Sequence, residues 1–155
     1  MVDTKVDADG LLYLWDAERE KYLSVARATL IINSTQPGHG WAMQIAGVGQ
    51  GSGLNPYILP RDGTITSIYA MSEQVNSQDM IIFFYDQGGV GNRHDDHLFP
   101  QTGADASEVI ISGSTNYDVS EGDWLRAASF RAEDPGSPGS IVFPIVCVEI
   151  SWRTS

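Results

Sequence analysis

The run Ile141-Val142-Phe143-Pro144-Ile145-Val146-Cys147-Val148-Glu149-Ile150-Ser151-Trp152 near the end of the chain constrains the fold more than any other segment. It is long, rich in β-branched residues and apolar at both parities. A strand exposed on one side alternates apolar and polar residues, so this pattern suits a strand covered on two faces, at the centre of a sandwich. Val146 and Val148 share one face and Ile145 and Cys147 the other, and both pairs are expected to be buried. Pro144 cannot donate to a ladder and predicts a local break in pairing.

Turn signals recur at short intervals along the rest of the chain, among them Asp9-Gly10, Gln36-Pro37-Gly38, Arg61-Asp62-Gly63, Gly113 and Glu121-Gly122-Asp123. Short runs rich in Val, Ile, Thr and aromatics lie between them. The spacing predicts strands near Leu11–Trp15, Tyr22–Ala26, Thr29–Asn33, Trp41–Ile45, Thr64–Met71, Met80–Tyr85, Glu108–Ser112, Trp124–Arg131 and Ile141–Trp152. The fold class is therefore all-β: a single-domain antiparallel jelly-roll sandwich of about eight to nine strands over residues 11–155, preceded by an N-terminal arm, 1–10. The helix-prone Asp16-Ala17-Glu18-Arg19-Glu20-Lys21 is too short to stand alone and reads as a turn between two strands. That hairpin would present Tyr13, Trp15 and Tyr22 together, as packing residues, a partner contact or a sugar-stacking platform.

At 155 residues the chain can bury roughly 70% of its unfolded surface without a metal or disulfide. Its single cysteine, Cys147, lies in the apolar run and reads as a small buried hydrophobe, which excludes a disulfide framework and a thiolate zinc site. Nine basic against 20 acidic residues give a formal charge of −11. Such a surface repels phosphate backbones and anionic lipid, so neither nucleic acid nor membrane is an expected partner. The acidic N-terminus is unlike a signal sequence, and no apolar stretch approaches the roughly 20 residues of a membrane span.

Chemistry-bearing clusters are few. Arg93-His94-Asp95-Asp96-His97 follows a glycine-rich segment and is the one dense group of metal-type ligands. On a strand His94 and Asp96 would face away from Asp95 and His97, so the sequence predicts a mobile loop from Gln87 to His97. That loop could wrap a cation, place one histidine at a threefold axis, contact a partner through Arg93, Asp95 and Asp96, or be merely solvated. Ser52 lacks a nucleophile elbow because Gln50 stands where the pattern needs glycine. Gly47, Gly49 and Gly51 miss a dinucleotide fingerprint. Paired carboxylates such as Asp118 and Glu121 sit in turns with no apolar surroundings to separate their pKa values. No enzyme and no cofactor is expected.

Three segments carry a resemblance. Ile58-Leu59-Pro60-Arg61-Asp62-Gly63-Thr64-Ile65-Thr66-Ser67-Ile68-Tyr69-Ala70 resembles the strand opening the second sheet of tumour-necrosis-factor-like and complement-q-like trimeric jelly rolls. Val119-Ser120-Glu121-Gly122-Asp123-Trp124-Leu125 is similar to their Gly-Asp hairpin, and Ile145–Trp152 to their last central strand. Leu12-Tyr13-Leu14-Trp15 with Lys21-Tyr22-Leu23-Ser24-Val25 resembles a strand pair of virion proteins carrying this domain. Phage and bacterial versions of the fold include exosporium filament heads, phage fibre tips and capsid decoration proteins. Residues 1–10 carry no Gly-x-x repeat, and the ending Ser151-Trp152-Arg153 is unlike that of cytokines. The resemblance therefore implies a homotrimeric decoration protein on a phage capsid surface. Its partners would be its own copies and the major capsid protein or another virion protein, and its contacts would offset the pressure of packaged DNA. The alternative is a host-receptor or glycan-binding head of an extracellular fibre, using Tyr57, Tyr117, Trp124 and the loop from Gly88 to His97.

Overall fold

The computed structural model describes residues 3–33, 44–45, 57–72, 79–86, 93–100, 109–131 and 145–154, and for 44–45, 72, 79–86, 93–100, 109–113 and 128–131 the backbone alone. Among them are eleven strands: β1 Thr4–Val6, β2 Leu12–Asp16, β3 Lys21–Asn33, β4 Gln44–Ile45, β5 Tyr57–Ile58, β6 Gly63–Ser72, β7 Asp79–Asp86, β8 Arg93–Pro100, β9 Val109–Val119, β10 Trp124–Arg131 and β11 Ile145–Arg153. They form two antiparallel sheets. The larger runs β1-β2-β3-β11-β6-β9 with β4 also on β3, and the smaller runs β5-β10-β7-β8. This is the expected all-β jelly roll, with more strands than the eight to nine read from the sequence.

The core lies between the sheets. Leu30 and Ile32 of β3, Ile65, Ile68 and Ala70 of β6, and Val146, Val148 and Ile150 of β11 face Leu125 and Ala127 of β10. Strand β11 is central, paired to β3 on one side and β6 on the other. Its two faces differ, however: Val146 and Val148 are fully buried, while Ile145 and Cys147 are only half-buried. The expectation that both pairs are buried holds for the inner face alone, because the larger sheet has nothing among the described residues over its outer face at that level. Cys147 is correspondingly half-buried rather than enclosed.

Two further differences concern continuity. The segments Tyr22–Ala26 and Thr29–Asn33 are one 13-residue strand, and β9 runs through Gly113 to Val119. In both, pairing with a long neighbour overrides a local break in pattern. The predicted turns at Asp16–Lys21 and Glu121-Gly122-Asp123 do form. In the latter, Asp123 is buried and accepts the Ser120 N–H at 2.7 Å, and Gly122 holds a φ of 85° that disfavours any side chain. Gly63 is required for space, since a Cβ there would meet Ile150 Cγ2 at 2.9 Å.

Candidate functional site

The larger sheet is irregular over one short stretch. Thr66 is an extra residue of β6 between the pairs Glu149↔Ser67 and Ile150↔Ile65, and it stands against Thr115 and Asn116 of β9. A third irregularity separates Ser151↔Arg27 from Arg153↔Leu23, where Trp152 stands against Ser24 to Ala26 of β3. Bulges bend and twist a strand, and these fall close together along β11, between Glu149 and Arg153. Side chains take over the hydrogen bonds that the ladder gives up there. Thr115 Oγ1 donates to the Ile65 carbonyl at 2.6 Å, and the Trp152 N–H donates to Ser24 Oγ at 2.8 Å.

Over this level lies the β2–β3 hairpin, whose turn is stitched to β6 and β9 by Arg19. The Arg19 guanidinium donates through Nε to the Thr115 carbonyl at 2.8 Å and through Nη2 to the Thr66 carbonyl at 3.1 Å and to Ser114 Oγ. Its Nη1 pairs with Asp16 at 2.9 Å. The planar fork of arginine is the one side chain able to serve several acceptors in fixed directions. Burial raises the Asp16 carboxyl, yet the bonds from the Arg19 backbone and guanidinium outweigh it and leave the group below the usual carboxylate range.

Between hairpin and sheet is a concavity of about 550 Å³, with Trp15 on the hairpin side and Tyr69, Ser67 and Glu149 on the sheet side. Glu149 accepts from Ser67 Oγ at 3.0 Å and pairs with Arg27. Burial pushes its carboxyl up, but the bonds from Arg27 and Ser67 outweigh that and hold it low. Trp15 is 43% exposed and meets Tyr22 edge-on, with ring centroids 5.1 Å apart at 67°. The Tyr22 hydroxyl is tied in turn to Asp3.

The residues singled out from the sequence are thus separated by the structure. Trp15 and Tyr22 do meet at the surface. Tyr13 does not join them: it is fully buried, with its hydroxyl donating to Asp7 Oδ2 at 2.7 Å, so it is no surface contact. That bond, opposed by burial, lowers the Asp7 carboxyl. Arg61 lies 3.6 Å from both Asp7 and Asp9 and closes this second cluster. Tyr57 and Tyr117, named for a glycan surface, pack against the core.

The segment Arg93 to His97 is not a loop. It opens β8, because β7 supplies a complete antiparallel partner, with Phe83↔His97 and Tyr85↔His94 in register. Asp95 and Asp96 sit together opposite Phe84 at a bulge, which interrupts the alternation assumed for a strand. The side chains of Arg93, His94, Asp95, Asp96 and His97 lie outside the described residues, as do residues 87–92. Among the described residues, no group of three or more His, Cys, Asp or Glu side chains could hold a metal ion.

Arg19 was missed by sequence reading. It sits in a charged turn whose composition says only that it is solvated, and its partners Thr66 and Thr115 are 47 and 96 residues away. No protein-family profile and no curated protein matches the chain in sequence. Among solved structures, the globular domain of zebrafish complement 1qA is similar, with a TM-score of 0.54 over 83% of this chain and 100% of that domain, at 8% identity. The chain therefore shares the complement-q-like jelly-roll fold.

Proposed function

We propose that this chain is a non-catalytic structural subunit that trimerises through the outer face of its larger sheet and decorates the surface of a phage capsid. The observation that carries self-association is a row of exposed and half-buried apolar residues across three adjacent strands. Ile31 of β3, Cys147 of β11 and Tyr69 of β6 are register neighbours, with Ile145 and Met71 in the next row. Ile31 is 42% exposed, Tyr69 46% and Met71 39%. Contiguous apolar surface of this kind on a small soluble domain marks an interface. A stable trimer should bury more than roughly 1,000 Å² per contact between copies.

The charge of −11 supports the second half of the proposal. An acidic subunit is steered toward a basic patch on a shell and away from packaged nucleic acid. Sedimentation at tens of micromolar tests the trimer, and a persisting monomer sinks it. Electron microscopy of native particles with an antibody to this chain tests the location: labelling over the whole shell is expected, and labelling confined to a fibre or tail overturns decoration.

A further inference from the structure

The outer face of the larger sheet carries a second apolar patch, toward its β1 edge. In the β1-β2-β3 meander Val6 stands opposite Leu12 and Leu14 opposite Leu23, so these side chains share one face, and Val25, two residues beyond Leu23, joins them. Leu14, Leu23 and Val25 line the hollow under the hairpin and so belong to the outer face, whereas the Trp15 and Tyr22 rings lie on the opposite side of the hairpin. Leu23 is covered, but Val6 is 62% and Val25 52% exposed, more than Ile31, Tyr69 or Met71 of the row. We propose that in the trimer this meander patch of one copy packs on the apolar row of the next, so that every contact joins two different surfaces. The inference rests on the trimer reading and specifies it.

Three observations carry it. First, apolar exposure is concentrated on this face. Of the nine large apolar side chains exposed among the described residues, seven lie here, four in the meander patch and three in the row. A contact that covered the row alone would leave the larger group in water. Second, threefold symmetry demands two surfaces. A row packed on its own copy is self-complementary and closes as a twofold dimer, whereas a ring of three joins unlike patches head to tail. This face supplies two, and Tyr69 links them, being both a member of the row and part of the hollow between them. Strands β1 and β6 are four pairings apart in the sheet. Twist of roughly 20–25° per pairing keeps the two patches out of one plane, as the wedge-shaped subunit of a closed ring requires.

Third, charge permits the approach. The chain carries a net −11, yet the charged residues lining the hollow balance: Arg19 is paired with Asp16 and Arg27 with Glu149. Acidic copies therefore meet less repulsion across this face than elsewhere.

The test is cross-linking of the full chain at the concentration where sedimentation is read. Cys147, the one cysteine of the chain, sits in the row, and Leu12→Cys adds a thiol to the meander patch. With a short bis-maleimide, Leu12→Cys should yield covalent dimers and trimers in denaturing electrophoresis. The wild type, with a thiol in the row only, and Leu12→Cys/Cys147→Ser, with a thiol in the meander only, should stay at monomer size. Val6→Ser with Leu12→Ser should weaken association at least tenfold by sedimentation while unfolding remains cooperative, because both side chains are exposed. Linkage of the wild type equal to that of Leu12→Cys means that row meets row, and linkage of the double variant means that meander meets meander. Either result overturns the inference and leaves self-association standing. So does a wild-type trimer in which Leu12→Cys fails to link or the paired serine substitutions leave association unchanged. A wild type that sediments as a monomer overturns the trimer reading and this inference together.

Discussion

Arg19 is a side chain 12% exposed whose donors end on two backbone carbonyls, a hydroxyl and a carboxylate. Truncating it would leave the Thr66 and Thr115 carbonyls and Asp16 short of partners at once. Arg19→Ala should therefore cost about 2–4 kcal/mol by chemical denaturation, and Arg19→Lys should recover little, because a single ammonium cannot reach the same acceptors. Acid stability follows from the carboxylates. Asp7, Asp16, Asp118 and Glu149 all have folded-state pKa values below the ordinary range, each through its hydrogen bonds: Tyr13 to Asp7, Arg19 to Asp16, Lys21 and Thr64 to Asp118, Arg27 and Ser67 to Glu149. Groups depressed in this way stabilise the fold above the unfolded carboxylate pKa, and that share is lost as pH falls through the depressed values. Stability should then hold down to about pH 4 and decline below it. Tyr13→Phe should cost about 1 kcal/mol at neutral pH and make the acid decline shallower, since Asp7 loses the partner that lowers it most.

At the scale of elements, β11 tests the core assignment most severely. Val148 is fully buried between β3 and β6, and Val148→Asp should prevent folding: an unpaired buried charge costs several kcal/mol against a total of about 5–15. A cooperative, soluble Val148→Asp protein would refute it. The identity and centrality of this strand were legible because a run of β-branched residues admits few other readings. What stayed hidden was the openness of its outer face, which depends on what covers the sheet rather than on β11 itself. Strand β8 escaped notice because Arg93 to His97 is too polar for intrinsic propensity, and the strand exists through β7. The Thr66 bulge was equally invisible. It lets Ile65 and Ile68 both reach the core, a spacing of three that period-2 alternation would read as a fault. The hollow was unreadable for the same reason, since its parts come from the hairpin, β6, β9 and β11, which lie far apart in the sequence.

For the whole molecule, the apolar row and the net charge act in opposition. Bringing copies with a charge of −11 each together costs repulsion that falls as the Debye length shrinks from about 30 Å at 0.01 M salt to about 3 Å at 1 M. Self-association should therefore strengthen with salt, by sedimentation at constant protein concentration. An assembly that dissociates as salt rises would instead point to ion pairs between copies. The line of bulges bears on how the molecule opens. Over that stretch the larger sheet is held by side-chain bonds, from Arg19 to the Thr66 carbonyl, from Thr115 Oγ1 to the Ile65 carbonyl and from the Trp152 N–H to Ser24 Oγ, whereas regular ladder pairs run from Ile145 to Glu149. In native-state hydrogen exchange the sheet should accordingly behave as two cooperative blocks. Amides of the 65–67 and 114–116 segments would exchange by local opening well before those of Val146 and Val148.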